Sequence, residues 1–178
     1  MKSVLIHVCC GNCIIYPYKV LKEKGYKVSG LWFNPNIHPF KEHQMRLFSF
    51  SYWAYKNNFE FFELDYDFDS WLREVKYYED RCFGCYYLRL RKTAEFAKNK
   101  YYDGFTTTLL YSKHQKHDII RKMCEELGKE FGLNFVYYDF RVGWKEGIEE
   151  SKKMNLYRQN YCGCIYSCLL YTSPSPRD

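Results

Sequence analysis

No stretch of this chain approaches the ~20 consecutive apolar residues that a membrane-spanning helix requires. A helical integral membrane protein is therefore excluded. Internal repeats and linker-like segments are also missing, so the 178 residues form one ordinary domain, long enough to bury a real core. Met1–Val8 shows no signal-peptide architecture and runs straight into a strand-like pattern, from which a soluble, cytoplasmic protein is expected. The loop after that first strand is not rich in glycine and serine, as a phosphate cradle would be. It reads Cys9-Cys10-Gly11-Asn12-Cys13, which offers thiols where a phosphate would sit and speaks against an ATP-using enzyme.

Aromatic residues are abundant: 19 Tyr, 14 Phe and 4 Trp. Most such rings belong to a core, and some serve as stacking platforms for bases. The net charge of +6, with Lys and Arg spread along the chain, suits a polyanionic partner without demanding one.

The last eleven residues, Cys168 to Asp178, back-translate without conflict into a common transposase-type sequencing adaptor read in one frame. The expectation is a domain over 1–167 and a non-native segment over 168–178. That segment is set aside from fold and site reasoning, as a fusion scar would be. Eight cysteines remain of the nine.

Five segments rich in β-branched or aromatic residues read as strands: Ser3–Val8, Lys27–Phe33, Phe59–Asp65, Gly104–Leu110 and Asn134–Phe140. Helical stretches lie between them at Ile14–Lys24, His38–Asn57, Cys85–Lys100 and His117–Phe131. In the last, Ile120, Met123, Cys124, Leu127 and Phe131 recur at helical spacing. Alternating strands and helices predict a single-domain α/β, Rossmann-like three-layer fold with a mainly parallel sheet. Such sheets place their sites at the carboxyl ends of the strands, near a topological switch point. Cys9, Cys10 and Cys13 fall at that address.

Cytoplasmic chains have little use for structural disulfides, so clustered cysteines there point to metal or redox chemistry. Three clusters occur: Cys9-Cys10-x-x-Cys13, Cys82-x-x-Cys85 and Cys162-x-Cys164, while Cys124 sits on the apolar stripe of a helix and reads as a core thiol. Cys82 and Cys85 with Cys9 and Cys10 supply four thiolates, enough for a [4Fe–4S] cluster or a structural zinc, and the Cys-Cys dipeptide favours iron–sulfur. Adjacent side chains in extended backbone point to opposite sides, so Cys9 and Cys10 can share a centre only if the chain turns sharply. Otherwise one of them, with Cys13, holds something beside the cluster, such as a second iron or the substrate. A disulfide between Cys162 and Cys164 would close a small strained ring, which suits a redox relay better than a staple.

His7-Val8-Cys9-Cys10, Asn34-Pro35-Asn36-Ile37-His38-Pro39, Arg81-Cys82-x-x-Cys85, Phe105-Thr106-Thr107-Thr108-Leu109 and Leu156 to Cys164 follow one another in an order that resembles the QueH-type epoxyqueuosine reductases. The likeness runs from Ser3 to Ser167 and departs at Gly11-Asn12, where Ala-Pro is frequent. It implies reduction of epoxyqueuosine to queuosine at the wobble position of tRNA, the last step of that biosynthesis. It also implies a [4Fe–4S] cluster on Cys9, Cys10, Cys82 and Cys85, a redox-active disulfide at Cys162 and Cys164, a tRNA partner and an electron donor that the sequence does not identify. An additional iron beside the cluster would call on Cys13. Among His7, His38, Asp139 and the tyrosines, His38 is the first choice of proton donor, because it follows the strand-end turn. Arg158, Lys113 and Arg141 are candidates for phosphate contacts. The rival reading is a non-catalytic zinc-binding RNA-interaction module.

Overall fold

The computed structural model describes residues 1–167; the expected foreign segment, 168 to 178, lies outside the described residues. Strand β1 (Ser3–His7) is built on Val4, Leu5 and Ile6, all essentially inaccessible to solvent. A strand apolar on both faces belongs in the middle of a covered parallel sheet, and β1 is there. It pairs in parallel with β2 (Lys27–Trp32), His7 opposite Leu31, and with β4 (Gly104–Thr107), His7 opposite Thr107. With β3 (Phe61–Glu63) and β5 (Asn134–Phe135) the order is β3-β2-β1-β4-β5. The sheet is wholly parallel, and its direction of travel reverses between β1 and β4.

Among the described residues, six α-helices cover it. Helix α1 (Gly11–Glu23) packs with α2 (Phe40–Lys56) and α6 (Trp144–Lys153), and α4 (Arg81–Asn99) packs with α3 (Phe68–Tyr77) and α5 (His117–Phe131). Right-handed crossovers running opposite ways from β1 put these two groups on opposite faces, which completes the three layers.

Several expected boundaries change. The fourth strand stops at Thr107 and tightens into a 3-10 turn at Thr108–Leu110, and the fifth pairs only through Asn134 and Phe135 before diverging at the sheet edge. The third is confined to Phe61–Glu63. Helix α2 starts at Phe40, leaving His38 in the loop, and α4 starts at Arg81, four residues early, because Asp80 accepts a bond from the Cys82 amide and caps it. Helices α3 and α6 were not expected. Cys124 is fully buried in α5, as its spacing implied.

Candidate functional site

At the end of β1 the chain is held before it turns. His7 is inaccessible to solvent; its Nε2 donates to the Phe33 carbonyl (3.2 Å) and its Nδ1 accepts from the Thr107 hydroxyl (3.1 Å). Burial, with Arg89 nearby, lowers its pKa to about 4, so the ring is neutral and both nitrogens are committed. Cys10 is still extended, and Gly11 begins α1. A Cβ on Gly11 would stand 3.1 Å from the Phe50 nitrogen and the Ser49 hydroxyl, so α2 crosses this turn at close range. The strand-to-helix turn resolves the difficulty of adjacent cysteines. The sulfurs of Cys9, Cys10 and Cys13 all lie within 4.8 Å of one another and form a group that could hold a metal ion.

Those thiols share their protons unequally. Hydrogen bonds from Cys10 and Cys13, joined by the Thr108 hydroxyl, hold Cys9 well below the usual thiol range, while burial pushes Cys10 up to about 12. Cys13, donating to both neighbours, also lies well above the ordinary value. The cross-sheet support comes from Thr108, whose Oγ1 accepts from the Cys9 amide (3.0 Å) and lies 3.2 Å from its sulfur. The site thus straddles the switch point between β1 and β4.

The second cysteine pair occupies the first turn of α4, with Cys82 exposed and Cys85 buried. It does not fall within the 4.8 Å thiol group. It faces the same region: α4 packs on β1, and buried Arg89 touches the Cys85 sulfur (Nη2, 3.4 Å) while sensing the charge of Cys9 and Cys162.

The third pair lies on a strap that returns over the sheet edge after α6. Cys162 and Cys164 are free thiols whose sulfurs lie 3.7 Å apart, and the hydrogen bond between them draws Cys162 down to about 5. Gly163 between them has φ +123°, and a Cβ there would stand 3.1 Å from Arg46 Nη1. Arg46, paired with Glu42 at 2.8 Å, donates to the carbonyls of Tyr161 (3.0 Å) and Cys162 (3.1 Å). Cys164 and Cys85 pack into the same small apolar cluster around Trp71, which links the second and third pairs.

A cleft of about 340 Å³ opens beside the thiols, and both Cys13 and Cys162 line it. Its other walls include Tyr111, His114, Gln115, Trp144, Arg158 and Asn160. Across 166 of these residues, positions 4–169, the chain matches the family model of epoxyqueuosine reductase QueH. The chain belongs to the QueH family. It is 40% identical over 167 residues to epoxyqueuosine reductase QueH of Dehalococcoides mccartyi, covering 93% of this chain and 92% of the relative. It is 31% identical to that of Thermotoga maritima, covering 95% and 92%. A predicted subunit of a tRNA methyltransferase from Methanocaldococcus jannaschii superposes with a TM-score of 0.64 at 11% identity, over 99% of this chain and 91% of that one, a likeness of fold.

Within this QueH chain the other candidates are placed as follows. His38 accepts from the Ile165 amide at Nδ1 (2.8 Å) and donates from Nε2 to the Pro35 carbonyl (2.9 Å), two bonds that tie it to the Cys162 turn. Asp139 pairs with Arg141 at 2.7 Å, both partly exposed. Lys113 lies 6.0 Å over the Trp144 ring at the cleft, and Arg158 lines it. The residues the sequence did not single out are Tyr111, His114, Gln115 and Trp144, and the backing residues Arg46 and Arg89; Thr108 was legible only as part of the run Phe105 to Leu109. The run His114-Gln115 was legible only as a loop. No helix of the described residues is long and apolar enough to cross a membrane.

Proposed function

We propose that this chain reduces epoxyqueuosine to queuosine in tRNA, as its relatives are named for, by bringing a thiolate-held iron–sulfur centre and a dithiol to one cleft. One observation carries the reading: Cys13 of the three-thiol group and Cys162 of the reduced pair line the same cavity. The donors are all soft sulfur, and among the described residues the charged side chain buried beside them is the cation Arg89, a set that fits an anionic iron–sulfur cluster. Cys9, Cys10, Cys82 and Cys85 would hold a [4Fe–4S] cluster, with Cys13 left for an additional iron. Bound there, the cluster supplies electrons one at a time.

Removing the epoxide oxygen as water requires two electrons and two protons. The Cys162–Cys164 pair, one thiolate and one thiol, releases two electrons and one proton on closing to a disulfide; the second proton comes from solvent, and an external donor reopens the disulfide. His38 and Arg46 hold the turn through its backbone, so the sulfurs can react while their frame stays fixed. The base splays from the anticodon loop into the cleft. There Trp144 offers a ring face, Gln115, Gln159 and Asn160 offer amides for its edge, and Arg158 meets a phosphate. We assign the protein to the cytoplasm, where thiols stay reduced.

The test is an anaerobic visible spectrum of the purified chain with iron, sulfide and zinc assays, followed by turnover of epoxyqueuosine-containing tRNA. A broad band near ~400 nm, bleached by dithionite, with about four irons and four sulfides per chain, supports the reading. A colourless protein with about one zinc and no turnover sinks it and leaves the zinc-binding RNA module.

A further inference from the structure

Arg89 lies one helical turn after Cys85 in α4 and is 4% exposed. Its Nε donates to the Cys85 carbonyl (3.0 Å) and its Nη2 lies 3.4 Å from the Cys85 sulfur. The guanidinium also stands 5.7 Å from the Tyr86 ring centroid. No carboxylate among the described residues pairs with it. The contrast is Arg46, equally buried, which has Glu42 at 2.8 Å.

A buried cation without a partner is costly by several kcal/mol, so its position calls for an anion. The groups around it that can be anionic are thiols: Cys85 in contact, Cys9 and Cys162 within its field. The pocket around Arg89 is therefore built to place one fixed positive charge among the sulfurs. It is too enclosed to serve an RNA phosphate.

We infer that Arg89 is the resident countercharge of the thiolate-held centre and sets how readily that centre accepts an electron. The inference rests on the iron–sulfur reading above. A cluster held by four thiolates is an anion, and adding an electron adds a further negative charge. A fixed cation nearby stabilises the reduced form more than the oxidised one, and its loss makes reduction harder. Arg89 acts through the sulfurs and does not touch substrate.

The experiment is potentiometric titration of the iron-loaded full chain, monitored by visible absorption, for the parent protein, Arg89→Lys and Arg89→Met. At the potential where the parent is half reduced, Arg89→Met should show a reduced-to-oxidised ratio at least tenfold lower, equivalent to 59 mV for one electron. Arg89→Lys, which keeps the charge, should stay within about threefold. Failure of Arg89→Met to take up iron, with an unchanged circular dichroism spectrum and full loading of Arg89→Lys, also supports the assignment. An iron-loaded Arg89→Met at the parent potential overturns it. So does an Arg89→Lys shifted as far as Arg89→Met, since geometry rather than charge would then matter. If Arg89→Met does not fold, Arg89→Lys decides alone: the parent potential supports the countercharge and a tenfold shift refutes it. A parent protein that binds no iron refutes the metal reading itself, and this inference with it.

Discussion

Replacing Arg46 by methionine separates what holds the Cys162 strap from what holds the fold. Its side chain is 3% exposed and pairs with Glu42, 10% exposed, and the same guanidinium donates to two carbonyls of the strap. Glu42 also accepts from the Tyr157 hydroxyl at 2.7 Å, so one buried pair on α2 binds the strap at two points. Removing one partner leaves a buried carboxylate uncompensated, at a cost of about 3–5 kcal/mol. For a domain this size that lowers the melting temperature by roughly 6–20 °C. The double variant Glu42→Leu with Arg46→Met removes both charges and should recover most of that loss. It does not restore the bonds to Tyr161 and Cys162, so reductase turnover should remain low in both. The assays are thermal melting by circular dichroism and turnover on epoxyqueuosine-containing tRNA. A single variant melting within about 3 °C of the parent, or a double variant with full turnover, refutes the reasoning.

Three further outcomes follow from the geometry. His43 accepts from the Trp32 indole (3.0 Å), and burial, with Arg46 and His38 beside it, lowers its pKa from 6.5 to about 4. Its contribution is complete above pH 6.5 and declines as pH falls towards 4, where the unfolded chain binds a proton the folded one excludes. The loss is on the order of 3 kcal/mol, and denaturant midpoints for His43→Gln should fall less steeply over that range; parallel curves would contradict this. Cys162, drawn down to about 5 by the Cys164 thiol, should be alkylated by iodoacetamide at a nearly constant rate from pH 8 to 6 in metal-free protein. Cys164→Ser should raise the inflection, as peptide mapping would report, and an unmoved inflection counts against the shared proton. Gly163→Ala meets both a positive φ and a contact of 3.1 Å with Arg46. It should cost about 1–3 kcal/mol and most of the turnover, so unchanged melting and activity would show that the turn tolerates a side chain.

The sheet was legible because Val4–Ile6 and its neighbours are apolar on both faces, a pattern that parallel strands need and helices of that length do not use. Helix α3 did carry a signal, Asp67 as cap and Phe68, Trp71, Leu72 and Val75 at helical spacing, but over ten residues only. Helix α6 offers about one apolar residue per turn, Trp144 and Ile148, and its polar remainder shows no period. The fifth strand was overdrawn because Val136, Tyr137 and Tyr138 favour strands intrinsically, whereas at an edge the pairing decides. The cysteine spacings announced soft ligands. They could not announce Thr108, Arg46 or Arg89, whose roles arise from contacts made across the fold. His38 was legible as a residue set just after a strand, whereas its two backbone bonds to Pro35 and Ile165 arise from contacts that spacing does not announce.

The cleft joins residues 13 and 162, nearly the two ends of the described chain. At ~5–20 residues per second, the ribosome releases Cys9, Cys10 and Cys13 roughly 8–30 s before Cys162 exists. During that interval three thiols stand without the strap that roofs them. A cell making this protein therefore has a window in which the nascent chain can be oxidised or take up the wrong metal. Iron delivery is best timed after translation has finished, when the strap has closed.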